Sequence, residues 1–223
     1  MNGIREIVES SPDGTSVRGF LHVPETTNGN GLALTHGAGA NCQSPLLVSL
    51  ARVFCETGFT VLRFDLPFRQ QRPHGPPLRG SAERDRLGIR RAIEVLRKQV
   101  PERVFVGGHS YGGRQLTLLM ASDDPPAVDG LLLLSYPLHP PKRPEQLRIA
   151  HFPQLRTQAL FVHGTKDSFG TIDEMTGALK LIPAPTRLLS VLGAGHEILS
   201  KRNVDELPKQ VVAVFSGFYS ISR

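Results

Sequence analysis

From residue 31 onward the chain alternates short apolar runs with longer stretches whose apolar residues recur at helical spacing, and no other feature limits its fold as tightly. The runs GLALTH (31–36), FTVLRF (59–64), RVFVGG (103–108), GLLLLSYP (130–137), ALFVHG (159–164) and TRLLSVL (186–192) have the length and the Leu, Val and Phe content of buried strands. Helical spacing occupies 45–57, 81–99, 111–121, 170–181 and 204–219. In 81–99, Leu87, Ile89, Ala92, Ile93, Val95 and Leu96 gather on one face, and Pro101 ends the pattern. Strands alternating with helices predict a mostly parallel sheet covered on both faces. Such sheets carry their sites at the carboxyl ends of the strands.

Ahead of the alternation, 4–9 (IREIVE) and 16–23 (SVRGFLHV) flank Pro12-Asp13-Gly14, the pattern of a hairpin at a sheet edge. Residues 65–80 read as a Pro- and Arg-rich loop, and 138–157 hold four prolines and no long period. With 39% hydrophobic and 21% charged residues, and no repeat or linker, residues 1–223 are expected to form a single α/β domain.

No apolar run approaches the roughly 18–20 residues of a membrane span. The start, MNGIREIVES, lacks the basic and apolar regions of an export signal, so a cytoplasmic protein is expected. Cys42 and Cys55 are then expected to be reduced thiols. No Cys/His cluster has zinc spacing, and no metal is expected. The net charge of +6 is concentrated between Arg63 and Arg103, with eleven Lys or Arg against five Asp or Glu. No recognition motif accompanies it, so a solvated helix face is expected rather than a nucleic-acid site.

Gly108-His109-Ser110-Tyr111-Gly112 matches G-x-S-x-G. The pattern alone is weak in a chain with 22 glycines, but it falls between a strand and a helix, where a nucleophile elbow must lie. A serine hydroxyl needs a base to become a nucleophile. His196, in LGAGHEIL, follows the last strand and fits that role. The imidazole needs a carboxylate to fix its tautomer. Asp167, in HGTKD after strand 159–164, supplies it; the rival Asp173 falls inside a predicted helix. The order Ser, Asp, His is the order that accompanies this elbow. Acyl transfer also needs donors for the developing oxyanion. The backbone N–H of Tyr111 is one; the loop His36-Gly37-Ala38-Gly39 offers the other, from Ala38 or alternatively Gly39. His36 braces that loop in this reading, and His163 bonds to the acid loop.

With these motifs in place, the chain resembles the α/β-hydrolase superfamily over nearly its whole length, particularly compact members such as dienelactone hydrolases. LTHGAGAN, GGHSYGGR, YPLHPPKRPEQLR and LFVHGTKDSFGT resemble the group that includes small bacterial hydrolase-like proteins, a testis-expressed protein and a subunit of the NSL chromatin complex. The resemblance implies the α/β-hydrolase fold: a mostly parallel sheet of about seven or eight strands with helices on both faces. Dienelactone hydrolases use a cysteine where this chain has Ser110, so that particular activity is not implied.

The expected activity is hydrolysis of a small ester, thioester or related acyl bond, without a cofactor. Some 20 residues between strands 130–137 and 159–164 leave room for little or no lid. Arg69, Arg72 and Arg79, after a strand end, are candidates for holding an acidic substrate. The alternative is a binding or scaffold protein that keeps the fold without turnover.

Overall fold

The computed structural model describes residues 3–10 and 14–221. Pro12 and Asp13 of the predicted turn lie outside them. The strands are β1 (Gly3–Ser10), β2 (Ser16–Val23), β3 (Gly31–Thr35), β4 (Thr60–Phe64), β5 (Val104–His109), β6 (Gly130–Leu134), β7 (Ala159–Gly164) and β8 (Thr186–Val191). The helices are α1 (Pro45–Glu56), α2 (Pro67–Gln71), α3 (Ala82–Arg97), α4 (Tyr111–Met120), α5 (Ile172–Leu179) and α6 (Glu206–Phe218).

One eight-stranded sheet runs in the order β1-β2-β4-β3-β5-β6-β7-β8. β1 pairs antiparallel with β2 and β2 with β4; every other pairing is parallel. The predicted hairpin is at the edge, and β1 is almost wholly exposed.

The central strands are apolar without a break because both faces are covered. Ala33, Val106, Leu131, Leu133 and Phe161 point into a core with Ile89, Leu96, Leu116 and Met175 of α3, α4 and α5. Their neighbours Leu32, Leu34, Phe105, Leu132 and Leu160 point the opposite way, onto Leu47, Phe54, Val211 and Phe215 of α1 and α6. The two-residue period of the strands thus divides one apolar stretch between two cores.

Two segments differ from the sequence reading. The stretch 65–80 contains the helix α2, whose five residues are too few to show a period. Pro67 presets its first turn, and Asp85 accepts the free N–H of Phe68 at 3.0 Å. The strand predicted to reach residue 137 ends at Leu134, because Ser135 turns the chain with a φ of 48°. Beyond it, 138–157 carry only a short 3-10 turn, Phe152–Gln154.

Candidate active site

Ser110 stands between β5 and α4 with a φ of 48°, unusual for a residue other than glycine. Its N–H donates to the Leu134 carbonyl (2.8 Å) and its carbonyl accepts the N–H of Arg114 (2.9 Å), so the strained conformation is held on both sides. The flanking glycines are steric requirements. A Cβ on Gly108 would lie 2.5 Å from the backbone nitrogen of Gly113, and one on Gly112 would lie 2.5 Å from the carbonyl oxygen of His36.

The structure brings Ser110, His196 and Asp167 together from three separate loops. His196 Nε2 is 2.8 Å from Ser110 Oγ, and His196 Nδ1 is 2.8 Å from Asp167 Oδ2. The Asp167 side chain is fully buried and that of His196 is 19% exposed. Asp167 also accepts the N–H of Phe169 on Oδ1 at 2.8 Å. A carboxylate bonded on both oxygens has little freedom to turn away from the imidazole. Its contact fixes the His196 proton on Nδ1 and leaves the Nε2 lone pair facing the serine hydroxyl.

The acid loop is braced from beneath. His163 Nε2 donates to the Gly170 carbonyl at 2.8 Å and lies 3.6 Å from Asp167 Oδ2. Burial holds the pKa of His163 below the usual histidine range, which keeps it neutral beside the acid.

Ser110 opens into a cleft of about 350 Å³ lined by the 37–40 loop, His109, Phe169, His196 and Glu197. A larger groove of about 690 Å³, lined by Val53, Phe59, Val212 and Ala213, holds none of the three residues. The backbone N–H groups of Tyr111 and Ala38 have no acceptor among the described residues, so both are free to donate. Ala38 and Gly39 both line the cleft. His36 makes the bonds of a loop brace: Nδ1 donates to the Gly37 carbonyl (2.8 Å) and Nε2 accepts the Leu66 N–H (3.1 Å). Burial lowers its pKa to about 4, consistent with a neutral ring that donates on one side and accepts on the other.

The three arginines need correction. Arg69 was expected to hold substrate, but it is buried and spends four hydrogen bonds on the carbonyls of Ala38, Ala40, Arg72 and Gly75. Arg72 and Arg79 are exposed on the loop after α2, and neither lines the cleft. A loop leaving the correct sheet edge does not fix which way its side chains point.

Sequence reasoning missed Phe169, whose ring lies over His196, and the Tyr111 hydroxyl, which donates to Asp85 Oδ2 at 2.7 Å. Position after the acid was the only signal available for Phe169. Nothing in the spacing pairs Asp85 with Tyr111, because the contact joins α3 to α4 across the fold.

Among the described residues no helix is long and apolar enough to cross a membrane, and no group of His, Cys, Asp and Glu could hold a metal ion. Similar solved structures include an α/β serine hydrolase without lid from Xanthomonas campestris (16% identity, TM-score 0.74, covering 99% of this chain and 97% of that one). A dienelactone hydrolase from Anabaena variabilis matches at 20% identity and a TM-score of 0.71, over 98% of this chain and 96% of the other. An esterase from Pyrococcus furiosus matches at 14% identity and a TM-score of 0.72, over 98% and 92%. At these identities the likeness concerns the fold. The model of the alpha/beta hydrolase domain family matches residues 29–216, most of the sheet together with Ser110, Asp167 and His196. The chain belongs to that family.

Proposed function

We propose that this chain is a serine hydrolase that cleaves a small ester, thioester or related acyl bond through an acyl-enzyme on Ser110. The observation that carries the reading is the unbroken hydrogen-bond relay from Ser110 Oγ through His196 to Asp167, with 2.8 Å at each step. A binding module has no need for this relay beside two free N–H groups.

In the proposed reaction, the Ser110 hydroxyl passes its proton to His196 Nε2 as Oγ attacks the acyl carbon. The carbonyl oxygen becomes an oxyanion and takes the N–H groups of Tyr111 and Ala38. Asp167 stabilises the imidazolium that forms. The tetrahedral carbon collapses, the C–O or C–S bond to the leaving group breaks, and His196 returns the proton to it. Water then repeats the sequence on the acyl-enzyme, with His196 as base, and frees the acid and Ser110. No cofactor takes part. The small cleft and the short connection between β6 and β7 favour small or exposed acyl groups. The YPLHPP stretch at 136–141 supports a place near the testis-expressed and NSL-subunit group within the family.

A series of p-nitrophenyl esters of increasing chain length tests this reading. Turnover that favours short chains and vanishes in Ser110→Ala supports it. No turnover of esters or thioesters by the folded protein would favour the scaffold alternative.

A further inference from the structure

We infer that Arg69 is a positioning residue for the oxyanion donors, holding the 37–40 loop so that its N–H groups face Ser110; the inference rests on the hydrolase reading above. A trans peptide is planar, with its C=O and N–H pointing in opposite directions, so a bond that pins one carbonyl also aims the next N–H. The Gly37 carbonyl is taken by His36 Nδ1 at 2.8 Å and by the N–H of Ala40 at 3.2 Å. That aims the N–H of Ala38. The Ala38 carbonyl is taken by a terminal nitrogen of Arg69 at 2.8 Å, which aims the N–H of Gly39. Arg69 Nε takes the Ala40 carbonyl at 2.8 Å, so one rigid guanidinium grips alternate carbonyls and holds Ala40, whose own N–H pins the Gly37 carbonyl and so aims the N–H of Ala38.

The remaining bonds tie this grip to the rest of the fold. The other Arg69 bonds go to the carbonyls of Arg72 and Gly75, 2.9 Å each, leaving one of its five N–H groups unused. Its guanidinium stacks 4.9 Å over the ring of Phe68. Phe68 meets the ring of Tyr111 edge-on at 5.6 Å, and its N–H shares Asp85 with the Tyr111 hydroxyl. The short helix α2 therefore touches both halves of the hole: the loop through Arg69, and Tyr111 through Phe68 and Asp85. Among the described residues no carboxylate pairs with Arg69; four carbonyl dipoles and the face of the Phe68 ring meet its charge. Lysine keeps the charge but cannot span two carbonyls with fixed geometry, so the conservative replacement is a sharp test.

The experiment compares wild type, Arg69→Lys and Arg69→Gln in turnover of a neutral p-nitrophenyl ester and in amide hydrogen exchange over residues 37–40. Positioning predicts a fall in kcat of about 100-fold in both variants, the scale of losing an oxyanion donor, with KM nearly unchanged. It also predicts faster exchange of the Ala40 N–H, whose bond to the Gly37 carbonyl the grip maintains, while the melting temperature marks the variant as folded. If Arg69→Gln does not fold, Arg69→Lys decides. A kcat within about twofold of wild type in folded Arg69→Lys overturns the inference, as does a change confined to KM. The exchange readout separates it from the hydrolase reading. If the wild type hydrolyses nothing, that reading fails, and unchanged exchange in Arg69→Lys still overturns the positioning role.

Discussion

The ring of Phe169 lies 4.1 Å from that of His196, centroid to centroid, and is inclined to it by 31°. The same residue donates its N–H to Asp167 and accepts the N–H of His139 on its carbonyl at 3.0 Å. It thus joins His196, Asp167 and the proline-rich segment. Removing the ring frees the imidazole to turn without removing any reacting group. Phe169→Ala should lower kcat by up to about 100-fold, the cost of a displacement of about 1 Å at a reacting centre. Steady-state kinetics beside a melting curve checks this; unchanged kcat would reduce Phe169 to a cleft wall.

The acid makes a steeper prediction. Asp167→Asn keeps the shape but offers an amide where Nδ1–H needs an acceptor, and an amide that accepts in one orientation donates in the other. The imidazole then favours the wrong tautomer, and kcat should fall by about 10⁴-fold, as it does in serine proteases that carry this replacement. A fall of less than tenfold would transfer the role to another carboxylate.

Gly108→Ala tests the elbow as a steric object. The nearest atoms to the added methyl are backbone atoms of Gly112 and Gly113 at 2.5–2.9 Å, which cannot move without shifting α4. The variant should lose about 3 kcal/mol of stability, within the range of severe overpacking. Chemical denaturation measures it; a native midpoint would show that the elbow can open.

Acid should destabilise the fold before most carboxylates titrate. Burial lowers the pKa of His22, His36 and His151 from 6.5 to about 4 each. Between those values the unfolded chain binds protons that the folded chain excludes, so stability is full above about 6.5 and falls as pH drops toward about 4. Urea midpoints measured from pH 7 to pH 4 should decline, and His151→Gln should flatten part of that decline. A flat profile would contradict it.

Most of the architecture could be read from the chain because both its signals are local. The strand-and-helix alternation needs only a window of residues, and Ser110, Asp167 and His196 each follow a strand. Asp167 could be chosen over Asp173 because Asp173 falls inside the helix predicted over 170–181, and α5 does contain it. What escaped depends on direction. Arg69 looked like a substrate clamp because sequence gives a loop's starting edge and not its inward turn. The helix α2 escaped because five residues carry no period. The link from Tyr111 to Asp85 is a contact between distant elements that no spacing encodes.

The central claim is that Ser110 is an activated nucleophile, and its most direct measure is the intact mass of the protein after brief exposure to a fluorophosphonate, with the adduct mapped by peptide sequencing. The account predicts one adduct, on Ser110, and none in a folded Ser110→Ala variant. No adduct on the folded wild type, or an adduct that persists in Ser110→Ala, would contradict it.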